Sequence, residues 1–136
     1  MLSRLNRESL LTLVQPAKFL INGVIATIVH FSVLTFCLKV LLWQSAGLSN
    51  MMASVFGIIA SFLGNRYFVF NNSEEPVQKQ IARFVTLSVT LAGVHFCVMY
   101  VSTDIYGTDY RLSFLLATVI QTILSFLGNK IMVFKV

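Results

Sequence analysis

The stretch SFLGNRYFVF at residues 61–70 returns near the end of the chain as SFLGNKIMVF at residues 125–134, with seven of ten positions identical and Arg66 exchanged for Lys130. Each copy closes an uncharged apolar run and sets a cation directly after an Asn, as Asn65-Arg66 and Asn129-Lys130. These copies lie 64 residues apart. Upstream, Ala17-Lys18-Phe19 recurs as Ala82-Arg83-Phe84 and His30-Phe31 as His95-Phe96, both displaced by 65, so one residue is lost between the matches. The unit written twice is a cation, an apolar run with His past its middle, a loop, and a second apolar run ending in Gly-Asn-cation.

The runs have the length of membrane spans. Residues 19–38 and 84–103 hold twenty residues each without Asp, Glu, Lys or Arg, and residues 112–129 hold eighteen. Residues 40–65 carry no charge either, with a helix expected from near Ser49. About 20 apolar residues cross the hydrocarbon core as a helix, which predicts four spans. The composition agrees: 57% apolar and 11% charged residues, where soluble chains have about a quarter charged. With a mean hydropathy of +0.82, too few polar side chains remain to cover a water-soluble surface. The runs lack the period-two alternation of barrel strands, which argues against a β-barrel.

The expected fold is an all-α membrane protein with four transmembrane helices formed by two parallel two-helix repeats. Residues 1–136 make a single membrane domain, with repeats at 16–72 and 81–136 and Glu74-Glu75-Pro76 in the connector. Two spans per repeat return the chain to its starting side, so an axis along the membrane normal relates the copies. Eight basic residues (Arg4, Arg7, Lys18, Arg66, Lys79, Arg83, Lys130, Lys135) fall on the side of the termini and two (Lys39, Arg111) on the other. That asymmetry puts the N- and C-termini in the cytoplasm. The pI near 9.6 then reflects topology and anionic lipid, and calls for no nucleic acid. Residues 1–15 read either as an interfacial helix carrying Leu2, Leu5, Leu10, Leu11 and Val14, or as an unstructured tail. Gln15, Pro16 and Lys18 interrupt any cleavable signal there, and Pro16 suits the first turn of the first span.

Several function classes drop out. All five carboxylates (Glu8, Glu74, Glu75, Asp104, Asp109) lie outside the spans, which argues against a proton-coupled exporter, since these need an acid within the membrane. No P-loop, HExxH or carboxylate pair at the membrane surface is present, and Asp104 with Asp109 in one outer loop argues poorly for metal-dependent catalysis, so no catalytic residue and no enzyme is expected. Cys37 and Cys97 lie inside spans without metal-ligand spacing and read as small apolar residues, giving no metal and no cofactor.

Two polar sets remain, each with two readings. Small residues at Gly23 and Thr27, repeated as Ser88 and Ala92, share a helical face with His30 and His95. His30 lies eleven residues past Phe19, about 17 Å into the bilayer, with Gln121 at similar depth. His30, His95 and Gln121 are either hydrogen-bonding glue between helices or a polar translocation path. The rows Ala53, Gly57, Ser61 and Ser113, Ala117, Gln121, Ser125 permit close helix packing. At the cytoplasmic helix ends, Lys18, Arg66, Arg83 and Lys130 are either snorkelling anchors or, with Asn65 and Asn129, a site for a lipid phosphate. Asn near hydrocarbon is costly without a partner, and anchoring alone leaves both asparagines unexplained. The rings at Tyr67, Phe68, Phe70 and Phe134 read as an interfacial belt.

A basic-Phe entry, four short spans and a closing N-[RK]-x-x-[VF]-F, present as NRYFVF at 65–70 and NKIMVF at 129–134, resemble the GtrA-like family of small bacterial membrane proteins. The resemblance runs over residues 17–134 and departs at Asn22, where the family pattern has Val ahead of Gly23. It implies movement of undecaprenyl(polyprenyl)-phosphate-linked sugar from the cytoplasmic to the outer leaflet of the bacterial inner membrane. The sugar would serve cell-surface polysaccharide, O-antigen or teichoic-acid modification, with a membrane glycosyltransferase as partner. A four-helix unit is small for enclosing a sugar, which implies a homodimer or higher assembly. The competing expectation is a non-transporting scaffold that recruits the glycosyltransferase.

Overall fold

A computed structural model describes residues 2–71 and 73–136, apart from the side chains of residues 2–6, 11 and 47. The interfacial placement expected of Leu2, Leu5 and Leu11, the contribution of Arg4 and the repeat boundary at residue 72 lie outside the described residues. Four long helices are described: α1 (Leu2–Lys39), α2 (Ala46–Gly64), α3 (Val77–Met99) and α4 (Tyr110–Gly128). No strand occurs among the described residues. Stretches at Arg7–Lys39, Leu48–Val69, Val77–Ile105 and Tyr110–Val133 are long and apolar enough to cross a membrane. In hydrocarbon every backbone group must be satisfied within the chain, and a helix does this locally. Large apolar side chains point outward along them, Phe31 at 67% and Val89 at 68% exposure. An outward apolar surface is the inverse of a soluble fold and suits lipid.

The chain divides into two compact units, Met1–Asn71 and Asn72–Val136. In the first, α1 packs against α2; in the second, α3 packs against α4. The small residues sit at these contacts. Ser49, Ala53 and Gly57 are buried on α2, and a Cβ at Gly57 would lie 3.2 Å from that of His30. Ser113, Ala117 and Gly128 are buried on α4. Close approach through small residues is what lipid-embedded helices rely on, because apolar area gives no driving force between them there.

Helix ends differ from the sequence expectation in two places. The helix α1 continues through Pro16, so that proline lies within a helix instead of opening the first span. Caps set the starts of two others: Ser45 Oγ accepts from the Leu48 amide at 3.2 Å, and Asp109 accepts from the Arg111 amide at 2.8 Å. The helix α2 thus begins three residues before the expected Ser49.

Both motif copies end in a wider π turn, Asn65–Val69 and Asn129–Val133. The Phe70 amide donates to the Asn65 carbonyl at 2.8 Å and the Phe134 amide to the Asn129 carbonyl at 2.9 Å. A π turn inserts one residue per turn and rotates the side chains beyond it around the helix axis. Here it directs Val69 and Phe70, and likewise Val133 and Phe134, into the protein, all at most 2% exposed. The terminal Val-Phe of each copy is therefore core, and only the rings before it face outward.

Candidate functional site

In the first unit the motif asparagine is held from α1. Asn22 Nδ2 donates to the Ser61 carbonyl at 3.0 Å and to Asn65 Oδ1 at 3.1 Å. Asn22 and Asn65 are 3% and 1% exposed. Gly64 makes the clasp possible, since a Cβ there would lie 1.8 Å from Asn22 Oδ1. Asn22, the departure from the family pattern, thus supplies the partner that a buried Asn65 needs. Sequence reasoning left it without a role.

In the second unit the matching asparagine is satisfied differently. Asn129 Nδ2 donates to the Ser125 carbonyl at 2.8 Å and to Ser125 Oγ at 3.3 Å. Its Oδ1 is buried without a hydrogen-bond partner among the described residues. Leu87 occupies the place of Asn22, with Cδ1 2.7 Å from a Cβ built at Gly128. Both asparagines turn inward, so the structure brings neither amide to the surface beside the cations.

All four predicted cations are half-buried against a neighbour. Lys18 Nζ lies 5.2 Å from the Phe68 ring centre, Arg66 Cζ 5.5 Å from that of Tyr67, and Lys130 Nζ 5.9 Å from that of Phe126. These separations fall within cation–π range. Rings read from sequence as a belt, Tyr67 and Phe68, therefore also hold cations. Arg83 Nη1 instead donates to Glu75 Oε2 at 2.9 Å, and Lys135 Nζ lies 3.5 Å from Glu75 Oε1. Partial desolvation raises the Glu75 pKa, but the Arg83 hydrogen bond and the charges of Lys135 and Arg83 outweigh it and hold the carboxyl below its usual range. Neither Glu75 nor Lys135 was singled out from sequence.

The deeper polar residues are paired inside their own units. His30 Nε2 donates to Asn50 Oδ1 at 3.0 Å, while His95 Nδ1 donates to Gln121 Oε1 at 2.7 Å and meets the Phe114 ring edge-on at 5.4 Å. The two rings use opposite nitrogens, and His95 and Gln121, both predicted as path residues, meet each other. Cys37 is buried and Cys97 exposed, both as free thiols. No group of three or more His, Cys, Asp and Glu that could hold a metal occurs among the described residues.

No solved structure matches the chain. A curated relative, "Uncharacterized membrane protein YngA" of Bacillus subtilis (strain 168), is 31% identical over 78 residues, covering 57% of this chain. The match spans about half of that relative, 52% of its length. The family model described as "GtrA/DPMS, transmembrane domain" matches residues 18–134. That interval starts at Lys18 and ends at Phe134, taking in both helix pairs and both Asn-cation motifs. The chain is a multi-pass membrane protein and belongs to the GtrA/DPMS transmembrane-domain family.

Proposed function

We propose that this protein moves a polyprenyl(undecaprenyl)-phosphate-linked sugar from the cytoplasmic to the outer leaflet of the bacterial inner membrane, for cell-surface polysaccharide glycosylation. Family membership supports the ligand class. The observation that carries the reading is the half-buried state of Arg66 and Lys130, just past the ends of α2 and α4, and of Lys18 and Arg83, inside α1 and α3. Lys18, Arg66 and Lys130, held against rings, are preorganised for a phosphodiester in a way that freely extended anchors are not. Asn65 and Asn129 close the turns that carry Arg66 and Lys130, one in each unit. His30, His95 and Gln121 are the candidate polar steps for the head group, the isoprenoid tail remaining in lipid. Chemistry is not required of the protein. With both termini in the cytoplasm, the inside-negative potential favours outward passage of one negative charge by about 2.3 kcal/mol per 100 mV. A membrane glycosyltransferase loading the lipid and self-association into a dimer or larger complex complete the reading.

A second reading, a scaffold that anchors the glycosyltransferase and transports nothing, draws on one specific observation. His30 and His95 are already hydrogen-bonded to Asn50 and Gln121, as packing residues would be. Reconstitution in vesicles carrying labelled polyprenyl-phosphate-sugar separates the two. Transport predicts leaflet exchange well above that of protein-free vesicles, and exchange at the protein-free rate removes the transport reading.

A further inference from the structure

The second unit has an apolar groove with a charged mouth. Arg83 and Lys135 stand at the rim, and Thr86, Leu87, Thr90 and Met132 line a hollow of about 590 Å³ below them. A second hollow of about 330 Å³ shares Leu87, Thr90 and Met132 and extends along Leu91, Leu124 and Ile131. Two cations at the head of a continuous apolar trough match a single anionic group on a hydrocarbon chain.

A carboxylate of the same chain now holds the anion's place. Glu75 bridges Arg83 and Lys135 at 2.9 and 3.5 Å. Its position is built into the fold. Gln80, fully buried in α3, donates through Nε2 to Ser73 Oγ at 2.7 Å, and Ser73 donates in turn to the Phe134 carbonyl. The connector is thereby fastened to both elements that carry the cations. On the other side, Lys135 takes a left-handed backbone conformation, φ +51°, which a residue with a Cβ seldom adopts. Its own amide neighbour closes the reversal, the Val136 amide donating to the Lys130 carbonyl at 3.0 Å. Guanidinium and ammonium groups accept a carboxylate or a phosphate by the same charge-assisted hydrogen bonds.

We propose that Lys135 joins Arg83, one of the four cations named above, in holding the phosphate of an isoprenoid lipid whose first units lie in the groove, and that Glu75 is an internal counter-anion the lipid must displace. The ligand class and the part of Arg83 rest on the function proposed above; Lys135 and the competing carboxylate do not. An internal competitor keeps the cations neutralised between turnovers and weakens the lipid's hold, so that release stays fast.

The test uses the full chain in phosphatidylcholine nanodiscs, titrated with farnesyl phosphate, with farnesol and with inorganic phosphate. Glu75→Gln is expected to tighten farnesyl phosphate binding about fivefold, the scale of a partly exposed charged pair. Adding Lys135→Gln should return affinity to the native level or below. Lys135→Gln alone, at a side chain 48% exposed, should weaken binding and settles the matter if Glu75→Gln does not fold. Native binding that Glu75→Gln leaves unchanged or weaker overturns the internal competitor and leaves the lipid reading standing. Inorganic phosphate bound as tightly as farnesyl phosphate overturns the groove as the lipid's place. No binding by native protein or Glu75→Gln overturns this inference and the lipid reading together.

Discussion

Asn22 in the first helix pair and Leu87 in the second occupy matching positions, 65 residues apart. Each lies against the glycine that precedes an Asn-cation pair, Gly64 or Gly128. In the first unit the contact is polar, with Asn22 clasping Ser61 and Asn65. In the second it is apolar, Asn129 turns to Ser125, and the polar contacts appear at the rim as Glu75, Arg83 and Lys135. At this glycine the first unit joins its two helices by a polar bond and the second by an apolar contact. The difference teaches that close packing through glycine is the shared requirement, while hydrogen bonding around it differs between the units. In the second unit this apolar contact borders the groove beside Leu87.

Substitutions at the two glycines should break this comparison most strongly. Gly64→Ala sets a methyl 1.8 Å from Asn22 Oδ1, and Asn22 cannot yield without releasing Ser61 and Asn65. The expected loss is about 2–3 kcal/mol, overpacking plus a membrane hydrogen bond. Unfolding of the full chain in mixed micelles with dodecyl sulfate measures it. Gly128→Ala meets the end of a Leu87 side chain that borders the groove and can move, so its cost should stay near 1 kcal/mol or below. Equal losses at the two glycines would mean that the Asn22 clasp adds nothing.

Exchanging the partners sharpens the contrast with smaller effects. Asn22→Leu gives the first pair the second pair's contact and strands a buried Asn65 oxygen, at a cost of about 1 kcal/mol. Leu87→Asn gives the second pair a donor beside the unpartnered Asn129 oxygen. It should leave stability unchanged or raise it by a few tenths of a kcal/mol. A loss in the second exchange as large as in the first would contradict the proposed equivalence of the two sites.

Much of this plan was legible in the chain. Charge spacing located the four helices, because an ionic side chain is costly in hydrocarbon wherever it falls. The duplicated motif marked where the second helix of each pair ends, though not the π turns found there. Pro16 misled as a helix start, since a proline one turn or more inside a helix needs surroundings that the sequence does not display. Asn22 and Glu75 were illegible for a common reason: each acts on residues distant in sequence or across a turn, Asn22 on Asn65 and Glu75 on Lys135. A pattern read along one helix cannot show such pairs. The belt reading failed at Phe70 and Phe134, which are buried, while Tyr67 and Phe68 face outward and also hold cations.

Binding of undecaprenyl phosphate to the full chain in nanodiscs, compared between native protein and the double variant Arg66→Ala with Lys130→Ala, tests the central claim most directly. If the helix-end cations hold the phosphate, affinity should fall by at least about tenfold, the scale of one charge-assisted contact, while insertion and unfolding stay as in the native protein. Undiminished affinity in a normally inserted double variant would contradict the account.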